Sequence, residues 1–141
     1  MPAFFGYDHV DCRVRSLAAV EPFYDELMPE IGLPEKQFSY VDQSGEWLDA
    51  SDTYNAVSYY EAPRDDGKRR RFFDLVESPL HRNNETRIAF RVERTRLPEL
   101  AALLQRIGAE SLDTSEMDSG YPAIFFEDPS GTKLELLGRE A

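Results

Sequence analysis

Between Tyr7 and Val14, apolar and polar side chains alternate. Val10, Cys12 and Val14 fall on one face, and Tyr7, His9, Asp11 and Arg13 on the other. A period of two predicts a half-buried strand. The period then changes. Leu17, Val20, Tyr24, Leu27 and Ile31 keep a helical spacing, with Ser16 placed to cap the start and Gly32 to stop the helix. Pro22 inside that run predicts a kink or a later start. Three short strands follow: Phe38 to Val41, Glu46 to Asp49 across the Gln43-Ser44-Gly45 turn, and Ala56 to Glu61, ended by Pro63.

Arg64 to Glu85 reads as a long polar connection. It carries the basic run Lys68-Arg69-Arg70-Arg71, and Arg71 to Val76 is a candidate strand inside it. The first pattern then recurs. Thr86 to Val92 alternates. Leu97, Leu100, Leu104 and Ile107 make an amphipathic helix, with Thr95 as the expected cap and Gly108 as the stop. Strands are predicted near Glu110 to Asp113, Tyr121 to Glu127 and Thr132 to Leu137. Asp128-Pro129-Ser130-Gly131 turns between the last two, because Pro pre-sets φ and Gly accepts a positive one. On the final strand Leu134 and Leu136 share one face, and Glu135 points to the other.

The chain is therefore read as one α+β domain, residues 1–141, built on an internal repeat. Two βαβββ modules, about 1–63 and about 86–141 with a linker at 64–85, form curved mixed sheets around a central cavity.

Composition narrows the function classes. The 141 residues carry a net charge of −11, which argues against general affinity for nucleic acid or an anionic membrane and suits a cationic ligand. No apolar run approaches the roughly 20 residues of a membrane helix. The start lacks a basic region followed by an apolar stretch, so a cytoplasmic setting is expected. Cys12 is the single cysteine, which removes internal disulfides and multi-cysteine metal sites. It faces the helix side and reads as a small core residue. Trp47 is read as core, with ligand stacking as the alternative.

The repeat relates the ionisable residues. Laying Asp8-His9-Val10-Asp11-Cys12-Arg13-Val14 over Thr86-Arg87-Ile88-Ala89-Phe90-Arg91-Val92 puts His9 on Arg87. Laying the Ala56–Glu61 strand over the last one puts Glu61 on Glu135. Curved sheets that face each other would gather His9, Glu61, Arg87 and Glu135 around one cavity, with Tyr59 on the face of Glu61.

Asp8-His9-Val10, Phe23-Tyr24-Asp25-Glu26-Leu27, Arg87 to Val92, and Asp128-Pro129-Ser130-Gly131 through Glu135-Leu136 are spread along nearly the whole chain. In them the sequence resembles the vicinal oxygen chelate superfamily: glyoxalase I, fosfomycin-resistance enzymes, extradiol dioxygenases and bleomycin-resistance binding proteins. The resemblance implies paired βαβββ modules, usually in a homodimer, around a divalent metal (Ni, Zn, Mn or Fe). Its ligands here would be His9, Glu61 and Glu135. The departure is Arg87, which stands where a further metal ligand is usual. A guanidinium has no lone pair to offer. Arg87 either pairs with Glu135 or stands beside a weakened metal site, for which His81 in the linker is a substitute ligand.

Two readings follow. One is a glyoxalase-like enzyme (lyase, isomerase or dioxygenase) acting on a small oxygenated molecule, with Glu61 or Glu135 moving the proton. The other is a metal-free small-molecule binder of the bleomycin-resistance type, its ligand held by Tyr59, Arg87 and Arg91 with His9 and Glu135.

Overall fold

The computed structural model describes residues 2–140. Its elements are β1 (His9–Val14), α1 (Leu17–Glu30), β2 (Glu35–Val41), β3 (Trp47–Asp49), β4 (Ala56–Tyr60) and β5 (Phe72–Glu77), then β6 (Arg87–Glu93), α2 (Leu97–Ile107), β7 (Glu110–Asp113), β8 (Ala123–Glu127) and β9 (Lys133–Arg139). They form two mixed sheets, ordered β1-β5-β4-β2-β3 and β6-β9-β8-β7. In each, the first strand runs parallel to the last, and the remaining pairs are antiparallel. β5 is thus the counterpart of β9, β4 of β8 and β2 of β7, while β3 is an extra edge strand.

This corrects the expected boundary of the first module. Residues 72–77, placed in the linker by their polar flanks, form an inner strand of the first sheet. The run Phe72-Phe73-Asp74-Leu75-Val76 lacks alternation because Phe72 and Val76 on its open face are apolar like Phe73 and Leu75 on its core face, and the flanking strands β1 and β4 shield both. Ala56–Tyr60 is the strand before the last.

Helix α1 runs through both Pro22 and Pro29, with the Ser16 hydroxyl accepting from the Ala19 amide. Burial of Val20, Phe23, Tyr24, Leu27 and Met28 outweighs the hydrogen bond that Pro22 removes. At α2 the expected Thr95 cap is absent. Arg94–Arg96 form a 3-10 turn, and Pro98 sits in the first helical turn. Gly108 ends α2 with φ +92°, in the left-handed region.

One apolar core holds the inner faces of both sheets and both helices, including Cys12, Tyr24, Leu27, Tyr59, Phe73, Leu104, Phe126 and Leu134. Contacts such as Phe73 with Phe90 and Phe23 with Phe126 join the modules. Each sheet therefore keeps an open face on the side away from this core, and the chemistry lies there.

Candidate functional site

The register of the first sheet sorts its open face into three rows. His9, Phe72 and Tyr60 align across β1, β5 and β4. Their rings stack in sequence, with centroids 4.4 Å and 4.5 Å apart. Next comes a polar row of Asp11, Asp74, Ser58 and Gln37. The third row holds Arg13, Val76, Ala56 and Ser39. Trp47, on the extra strand β3, stands at the rim and is 41% exposed. Together His9, Asp11, Asp74, Ser58, Tyr60 and Trp47 line most of a hollow of about 250 Å³. Trp47 belongs to this rim and not to the core where sequence placed it.

Asp74 is the chemical centre of the hollow. It is 4% exposed, and Ser58 Oγ donates to it at 2.5 Å. Burial raises its carboxyl above the ordinary range, the neighbouring Asp11 adds to that, and the Ser58 hydrogen bond offsets part of it. Asp11 itself is held by Arg13 at 2.8 Å. His9 Nδ1 lies 2.7 Å from Asp8 Oδ2, which favours the proton on Nδ1 and leaves Nε2 as an acceptor. A carboxylate with one neutral donor, a second carboxylate, an imidazole and three aromatic rings make a setting for a flat cation or a hydrogen-bond donor.

Sequence reasoning chose a different residue as the match of Glu135. In the second sheet Glu135 pairs with Ala89 on β6; in the first, Asp74 pairs with Asp11, which lies over Ala89 in the repeat. The counterpart of Glu135 is thus Asp74. Its signal, an aspartate inside an apolar run, was visible once that run was read as the closing strand.

Glu61 lies outside the hollow. It follows β4 on the face of Val57 and Tyr59, which is the helix side, and the Arg71 side chain takes its carboxylate at 2.5 Å. That hydrogen bond lowers the Glu61 pKa. Tyr59 is likewise turned inward, 2% exposed, its hydroxyl donating to Asp25 at 2.9 Å. Burial raises its pKa. Tyr60 takes its place in the hollow. Cys12 sits in the core, where burial pushes its thiol up to about 12, so it is no nucleophile.

Arg87, Arg91 and Glu135 lie on the open face of the second sheet. The expected Arg87–Glu135 ion pair is absent among the described residues. The Arg87 guanidinium stacks 5.1 Å above the Phe125 ring and donates to the Leu134 carbonyl at 3.3 Å. His81 lines a separate cleft with Arg13, Asn83 and Lys133 and does not enter the hollow. A larger cleft of about 420 Å³ runs past Arg91, Glu30 and Arg96, but Arg96 is there neutralised by Glu30 and Glu99.

The donors that the resemblance implies for a metal lie apart. His9 is in the first sheet's hollow, Glu61 is engaged by Arg71 behind it, and Glu135 is on the other sheet. Among the described residues no three His, Cys, Asp or Glu side chains converge as a metal site. The donors of one chain do not fit a divalent ion.

No protein-family model and no curated protein matches the sequence. Solved structures match the fold. FosX, the genomically encoded fosfomycin resistance protein of Listeria monocytogenes, in complex with Mn(II) and sulfate, has a TM-score of 0.61 at 15% identity, over 96% of this chain and 93% of that one. The fosfomycin resistance protein FosX of Mesorhizobium loti gives 0.60 at 14%, over 96% and 93%. An integron cassette protein from the mobile metagenome of the Halifax Harbour sewage outfall gives 0.58 at 17%, over 96% and 100%. With its paired sheets and shared core, this chain has the fold of these FosX proteins.

Proposed function

We propose that this protein binds a small molecule with a flat, cationic group in the hollow of the first sheet, in the manner of a metal-free binding protein. The observation that carries the reading is the polar row itself. Asp74 is buried with one neutral donor, beside Asp11 and in the row next to the His9–Phe72–Tyr60 stack. A bound cation would replace the solvation that burial has taken from Asp74. The hollow is walled by one sheet alone, and both open faces point away from the chain's core. We therefore include a homodimer in the proposal, with the second sheet of one copy closing over the first sheet of the other.

Trp47, the single tryptophan, reports on the rim. Benzamidine, a flat cation, should change its fluorescence saturably. Asp74→Asn should weaken that binding about tenfold or more, since hydrogen bonds to a charged group contribute roughly 1.5–3 kcal/mol. An unsaturable response, or equal affinity in the variant, would overturn the reading. The metal-dependent enzyme reading draws support from the Mn(II) of the Listeria protein. It requires a donor such as Glu135 of the partner subunit to complete a set with His9 and Asp74. Elemental analysis of protein purified without chelator separates the two: a stoichiometric divalent metal would favour the enzyme.

A further inference from the structure

The second sheet carries an unsatisfied cation of its own. Arg13, Arg64, Arg70, Arg71 and Arg96 each make an ion pair within the chain. Arg87, in a chain with an excess of carboxylates, makes none among the described residues, nor do Arg91 and Arg139 on the same face. The Arg87 guanidinium is nevertheless held in place: one N–H donates to the Leu134 carbonyl, and the Phe125 ring lies beneath it. Guanidinium has five N–H donors in a fixed fork and stays charged at any ordinary pH. One is used, so the remainder are presented on the open face in a preset orientation.

Glu135, whose register partners are Ala89 and Phe125, stands on the same face. Glu93 is there too, opposite Arg139. Glu93 lies six residues along β6 from Arg87, so Glu135 is the nearer carboxylate, and Lys133 is the register partner of Arg87. A single planar carboxylate matches the fork.

We infer that Arg87 builds a carboxylate-binding subsite on the second sheet, at the position where the resemblance implies a metal ligand. The small molecule enclosed by two copies then carries a carboxylate opposite its cationic group. That second half rests on the proposed cation hollow and its closure by a partner copy; the subsite itself does not.

Sodium benzoate is the probe for the subsite, read on the arginine side-chain ¹⁵Nε resonances. The Arg87 resonance, assigned through Arg87→Lys, should shift saturably, with sodium chloride at equal ionic strength producing no such shift. Arg87→Gln should lose benzoate binding about tenfold or more, as removal of a charge-assisted hydrogen bond predicts. Arg106→Gln, on the exposed side of α2, should bind as the parent does. Absence of a saturable shift, or unchanged benzoate affinity in Arg87→Gln, would overturn the subsite. 4-Amidinobenzoate, which joins both groups on one ring, then tests the linkage. It should bind more tightly than benzoate or benzamidine and perturb Trp47 and Arg87 together. Affinity no better than either half would overturn the enclosed zwitterion while leaving the subsite standing. A failure of benzamidine alone at Trp47 would count against the cation hollow and not against Arg87.

Discussion

At the scale of single residues, Asp74 sets stability and binding against each other. Its carboxyl is raised mainly by burial, so the folded state holds that proton more firmly than the unfolded one. Stability on this account is greatest below the unfolded carboxyl value and is lost as the pH rises through the folded one. Asp74→Asn removes the penalty. At pH 7 the variant should be more stable by about 1 kcal/mol, with the advantage vanishing at pH 3. Urea melts at the two pH values measure this, and a variant less stable at pH 7 would contradict it. The same change should cost ligand affinity, the usual trade where a site holds an unsatisfied group.

At the scale of elements, one turn ties the two modules together. Asp128, fully buried, opens the β8–β9 turn. Its Oδ1 accepts from the amides of Ser130 and Thr132, and its Oδ2 accepts from the Tyr24 hydroxyl of α1 at 2.6 Å. Gly131 completes the turn at φ +93°, and Asn83 from the linker donates to the Ser130 carbonyl beside it. Asp128→Ala leaves two amides and a buried phenol without partners and should cost roughly 3 kcal/mol. Tyr24→Phe removes only the contact between modules and should cost about 1 kcal/mol. Thermal melts of both variants check the order; equal losses would mean that the turn amides matter little.

At the scale of the whole molecule, the first sheet presents Asp11, Asp74 and Asp49 against Arg13 on its open side, and the second presents Arg87, Arg91, Lys133 and Arg139 against Glu93 and Glu135. Opposite charge favours a two-fold pairing of unlike faces, each copy supplying both. Light scattering at micromolar protein should return twice the 16.2 kDa of the chain. A mass of 16.2 kDa would contradict the pairing. Added salt should shift the equilibrium toward single chains, because exposed charges are screened.

The repeat, the two helices, the Asp128-Pro129-Ser130-Gly131 turn and the division of β1, β6 and β9 into an apolar and a polar face are legible along the chain. Local periodicity encodes these directly. It also sufficed to put His9, Arg87 and Glu135 on open sheet faces. Which strand closes the first sheet is set by long-range pairing. Arg71 to Val76 reads as a candidate strand, but with apolar residues on both faces it has no alternation to show that it closes the first sheet, and Glu61 stands in for Asp74. Alternation likewise separates Tyr59 from Tyr60 without saying which side the helix will cover; packing against α1 turned Tyr59 inward and left Tyr60 in the hollow. Period fixes which side chains share a face, and the layer packed against the sheet fixes which face is left open to a ligand.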